Sequence, residues 1–144
     1  MSDGFAATPS GGQTRRLQVV LAALGAWTIV VPYAARPLGL EVDVASTIEV
    51  VDHVLPGVLV VLLGAWLARR SGGGPPAIGV LVASGVCALA GVWVLATHVP
   101  LLADAAAGRE PWGAALWHSA TAPVIIVLAF ITALGSGPAD DGGA

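Results

Sequence analysis

An all-α fold is expected for this chain: a four-transmembrane-helix bundle built from two parallel helix-pair repeats, with both termini cytoplasmic. Three observations carry that expectation. The 144 residues are 56% hydrophobic and only 10% charged, with mean hydropathy +0.85, and a monomer of that composition would expose large apolar patches in water. Four long apolar stretches follow one another, each near the about 20 residues that cross a bilayer's hydrocarbon at helical rise. Arg15, Arg16, Arg69 and Arg70 fall at one end of these stretches and only Arg36 and Arg109 at the other, so the first end is expected in the cytoplasm.

The stretch from Ser46 to Arg70 sets the register. It opens with acids and a histidine, runs without charge from Val54 to Ala68, and stops at Arg69 and Arg70. Before it, residues 1–14 are rich in Gly, Ser, Thr and Pro and read as a disordered cytoplasmic tail. Arg15 and Arg16 then anchor a first run, Leu17 to Ala35. The string TRRLQVV is similar to a twin-arginine export signal, but it lacks a small-x-small cleavage site and leads into further apolar runs. Residues 36–45 form a short acidic loop that closes the first helix pair, 15–70.

The linker 71–76, SGGGPP, marks the middle of the chain. The second pair, 77–135, starts with a charge-free run from Ala77 to Leu102, which is expected to end near His98 and Pro100. A loop from Ala103 to Pro111 and a last run from Trp112 to Leu134 complete it. Residues 136–144 read as a disordered acidic tail. Gly79, Ala83, Cys87 and Gly91, four apart, offer a small-residue stripe for helix packing, and Ala115, Ser119, Ala122, Ala129 and Ala133 offer another. Cys87 in that stripe reads as a packing residue rather than a nucleophile. Trp112, Trp117 and Trp66 fit interfacial belts, and Trp27 and Trp93 fit buried packing.

The halves share a pattern. Gly25-Ala26-Trp27 corresponds to Gly91-Val92-Trp93, and His53 with Pro56 corresponds to His118 with Pro123. Because both halves run in-out-in, the repeat is parallel, with its axis along the membrane normal. GAWTIVVPY at Gly25 to Tyr33, followed by DHVLPGVLVVLLGAWLA from Asp52, resembles the SPW-repeat membrane proteins of bacteria and archaea. In that family a Gly-x-Trp precedes a Ser-Pro-Trp at the outer end of the first helix and a glycine comes early in the second. Here Val31-Pro32-Tyr33 stands at the Ser-Pro-Trp position and Gly57 at the glycine. The second half departs, with Trp93 seven residues from Pro100 and Pro123 in the region of the glycine. The resemblance implies a four-helix fold in a prokaryotic inner or plasma membrane, and no activity.

Polar groups inside a bilayer are costly and are functional candidates by default. Here they are Glu49, Asp52, His53, His98 and His118. Counted from the arginine end, His53 and His118 fall at one depth and His98 about 9 Å further out, in contact with water. His53 and His118 are therefore the candidate axial pair for a b-type haem. Glu49 and His53, four apart on one helix face, could instead bind a divalent metal with His118 or His98 completing the set, and Asp52 as the nearby acid. Against this, Ser46-Thr47-Ile48-Glu49 is a capping box, and Asp52 complements the helix dipole.

No phosphate loop, Gly-x-Ser-x-Gly or Cys-x-x-Cys is present. Apolar helix centres argue against transport, and a net charge of −3 argues against a nucleic-acid partner. Two functions follow. The first is a non-enzymatic structural or accessory subunit of a membrane assembly, in contact with lipid and with other subunits or copies of itself. The second is a haem- or metal-binding redox or sensing module.

Overall fold

The computed structural model describes residues 11–39, 47–70 and 77–135. They form α1 (Gly11–Ala35), a 3-10 turn (Arg36–Leu38), α2 (Thr47–Arg70), α3 (Ala77–Ala106), α4 (Trp112–Ser119) and α5 (Thr121–Leu134), with no strand among the described residues. Four spans, with α4 and α5 counted as one, are long and apolar enough to cross a membrane. The fold is therefore the expected all-α bundle of a multi-pass membrane protein. We call the end where α1 meets α2 and α3 meets α4 the loop end, and the opposite end, with Arg15, Arg16, Arg69 and Arg70, the terminal end.

Element boundaries differ from expectation in three places. Helix α1 begins at Gly11, so residues 11–14, expected in the tail, are helical; residues 1–10, 40–46, 71–76 and 136–144 lie outside the described part. Helix α3 continues past His98 and Pro100 to Ala106. Pro100 withholds only one N–H, and the Ala- and Leu-rich segment after it sustains the helix. The last run is kinked between α4 and α5. Pro123 cannot donate to the Ser119 carbonyl, yet Ala120 stays helical at φ −64°, ψ −25° and its N–H bonds to Leu116, so the axis bends without breaking.

Close backbone contact holds α1 to α2. A Cβ added at Gly57 would lie 2.6 Å from Ile29 Cγ1 and 2.8 Å from the Gly25 carbonyl, and one added at Gly25 would lie 2.7 Å from the Val61 nitrogen. Lipid gives helices little hydrophobic reason to associate, so intimate van der Waals contact of this kind has to do so. Gly91 serves α3 against α5 in the same way, facing the Ala122 carbonyl and Ile126. Of the expected α3 stripe, Ala83, Cys87 and Gly91 are buried, while Gly79 is half-buried beside an open apolar groove with Leu62 and Trp66.

The bundle centre is layered. Leu21, Val60, Cys87, Ala90, Ile125 and Ala129 form one buried apolar cluster, and Leu67, Val80 and Ala83 form a second toward the terminal end. The outward face carries Ile78, Leu89, Leu62 and Phe130, all exposed, as a surface wetted by lipid requires. Trp27 and Trp93 are 42% and 52% exposed, so the expectation that they pack inside is corrected. Trp27 meets Trp117 edge-on at 5.3 Å, and Trp93 donates its indole N–H to Asp52 at 3.3 Å. Each buries part of an amphipathic ring and keeps the rest at the bundle surface. At the terminal end the Arg70 guanidinium lies 5.1 Å over Trp66.

Candidate metal centre

Three helices each bring one imidazole to the same point. His53 stands six residues into α2, His98 eight residues before the end of α3, and His118 six residues into α4. All three thus lie about 9–12 Å from the loop end at helical rise. Counting from Pro76 had set His98 too far out, because α3 is 30 residues long and overshoots its neighbours. His98 is therefore not a water-exposed interfacial residue. It is 8% exposed, beside His53 at 0% and His118 at 2%.

The rings pack as a triangle. Centroids are 4.8 Å apart for His53 and His98, 5.6 Å for His53 and His118, and 6.1 Å for His98 and His118. One nitrogen from each ring lies within 4.8 Å of the other two. Three points so spaced share a position within about 2.8 Å of all of them, against ~2.0–2.1 Å for a zinc–imidazole bond. A shift of under about 1 Å per ring would close that gap, a distance that rotamer adjustment covers.

Local contacts hold one of the three rings. His98 Nδ1 lies 2.7 Å from the Val94 carbonyl. A carbonyl can only accept, so Nδ1 carries the proton and Nε2 presents its lone pair. The Thr97 hydroxyl, which donates to the same carbonyl at 3.1 Å, sits 3.1 Å from Nδ1 and flanks it. This is the outer contact that metal-bound imidazoles characteristically have. Nε2 of His53 and Nε2 of His118 are buried and make no hydrogen bond, although both residues have other contacts.

Prolines recur at this level on differing faces, Pro56 buried, Pro32 half-buried, and Pro100 and Pro123 exposed. Pro32, Pro56 and Pro100 lie inside α1, α2 and α3, and Pro123 lies in the first turn of α5. Each withholds the N–H that the carbonyl four residues earlier would take, and those carbonyls belong to Thr28, Asp52, Ala96 and Ser119. All four residues fall within about two turns of the imidazole layer. Buried Thr28 and Thr121, whose hydroxyls are 3.5 Å apart, extend that layer.

Of the residues singled out from sequence, His53, His98 and His118 come together. Asp52 engages Trp93. The Glu49 side chain and the Ser46 cap lie outside the described residues. Cys87 belongs to the apolar cluster, eleven residues or about 16 Å along α3 from His98. The proline level was missed, although the four prolines were visible; what they share is depth, which requires the helix ends.

A comparison with known proteins returns no match: no family model, no curated protein and no solved structure is significantly similar to this chain.

Proposed function

We propose that this chain is a metal-binding membrane protein, a non-enzymatic redox or sensing module that holds a single transition-metal ion on His53, His98 and His118. The observation that carries the reading is the convergence of three buried imidazoles from three helices on one point. Polar rings inside a lipid-spanning bundle are functional candidates by default, and three of them meeting at one point suit a shared ion. Three neutral nitrogen donors without a thiolate suit zinc or copper(II), and iron(II) or nickel less well.

An ion fits better than a haem. A porphyrin between His53 and His118 would need the space that the His98 ring fills, 4.8 Å from the one and 6.1 Å from the other. The SPW-repeat ancestry and the plasma membrane of a prokaryote remain part of the proposal. They rest on the sequence pattern of Gly25 to Tyr33 and Asp52 to Ala68 and on the four apolar spans.

Titration of the metal-stripped protein in mild detergent with cobalt(II) tests the proposal. Intense visible bands that saturate at one ion per chain, and are displaced by zinc, are expected for a low-coordinate imidazole site. A protein that stays colourless at every cobalt concentration, and metal-free when grown with zinc and copper, would remove it.

A further inference from the structure

We infer that the tri-histidine centre exchanges its ion only with the compartment facing the loop end of the bundle, and that the terminal end is sealed. The inference rests on the metal-binding reading above and adds the side from which the ion arrives. Its first ground is depth. From His98 the end of α3 at Ala106 is eight residues away, about 12 Å, whereas its start at Ala77 is 21 residues away, about 31 Å.

The second ground is what fills each path. Toward the loop end the buried described residues beyond the imidazoles are a single valine, Val31, and four alanines, Ala35, Ala105, Ala114 and Ala115. Toward the terminal end stand two apolar layers in series, Leu21, Val60 and Ile125 with their neighbours, and then Leu67 with Val80. Buried polar side chains return only beyond the first of these, at Gln18, Ser84 and Thr132. A hydrated dication cannot cross such packing, because interiors of this density leave no room for its water and supply no replacement donors.

The third ground is charge. By sequence position, the segments at the loop end carry Glu41, Asp43, Glu49, Asp52, Asp104 and Glu110 against Arg36 and Arg109, while those at the terminal end carry Arg15, Arg16, Arg69 and Arg70 against Asp3, Asp140 and Asp141. Arg109 donates to Asp104 at 2.9 Å through Nε, so these two cancel and the loop-end balance stays acidic. The loop end is therefore the more attractive of the two to a cation.

The test uses metal-stripped protein in sealed phosphatidylcholine–phosphatidylglycerol vesicles. Two cysteine reporters, Ala107→Cys at the loop end and Gln13→Cys at the terminal end, give the fraction of molecules in each orientation from labelling by an impermeant maleimide. Cys87 is buried and stays silent. Cobalt(II) is then added outside and its visible bands are recorded before and after detergent. The expected amplitude before detergent matches the Ala107→Cys fraction, and the remainder appears on solubilisation. An amplitude that matches the Gln13→Cys fraction, or the whole population, or that is zero until detergent is added, overturns the sidedness and leaves the metal site standing. No bands even in detergent removes the metal site, and the inference with it.

Discussion

His118→Ala is expected to abolish metal binding, and His53→Ala and His98→Ala are expected to do so to the same extent. Each imidazole is a direct donor in the proposed centre, so its loss should exceed the ~10–100-fold in affinity that outer contacts of metal ligands carry. Equality among the three variants is the informative part. A two-histidine site, such as an axial pair for haem, would lose binding with His53→Ala and His118→Ala and keep it with His98→Ala. Three convergent rings at 4.8–6.1 Å leave no such asymmetry. Cobalt absorption and isothermal titration on the three proteins measure it, with thermal unfolding in detergent as the check that each variant folds.

Gly57→Leu should have the largest effect on the bundle itself. The glycine backbones of α1 and α2 touch, and a side chain at residue 57 would meet Ile29 at 2.6 Å and the Gly25 carbonyl at 2.8 Å. Overpacking of a core costs ~1–3 kcal/mol where side chains can yield. Here part of the obstacle is backbone, so a loss of about 3 kcal/mol or more is expected, seen as aggregation on size exclusion and a lower unfolding midpoint in detergent. Gly85→Leu is the control. Nothing lies within 4 Å of a Cβ there, so no clash opposes the side chain and the protein should be as stable as the original or up to about 1 kcal/mol more so, from the better helix propensity of leucine. If both variants behave alike, helix contact at Gly25 and Gly57 is not what holds α1 to α2.

The four spans were legible because a bilayer imposes a coarse requirement, about 20 residues with little charge, that four stretches of this chain meet. Helix ends were harder. Pro100 and the histidine before it read as an exit, yet α3 continues to Ala106. A proline inside a membrane helix is tolerated when neighbours satisfy the freed carbonyl, and composition does not reveal those neighbours. That misreading set His98 about 9 Å outside the other two, so it entered a metal set only as the alternative to His118, although His53 and His118 were already paired through the repeat. The tryptophans erred in the opposite direction. Trp27 and Trp93 share a Gly-x-Trp pattern that suggested packing, but it is Gly25 and Gly91 that pack while the indoles turn outward. Glycine can meet a backbone and tryptophan cannot, which assigns the two residues of the motif to different faces.

The proposed centre also gives a reason for a polar layer in an otherwise apolar bundle. His98 is held through Nδ1 by the Val94 carbonyl, and His53 and His118 meet it from α2 and α4. A satisfied core histidine is the structural reason each ring could have by itself, and a bound cation is what the convergence of three would serve.

X-ray absorption at the metal edge of zinc-loaded protein tests this account most directly. The account predicts three imidazole nitrogens at ~2.0–2.1 Å, with the multiple scattering of intact rings and no sulfur. A first shell with fewer than three imidazoles, or one containing the Cys87 sulfur, would contradict it.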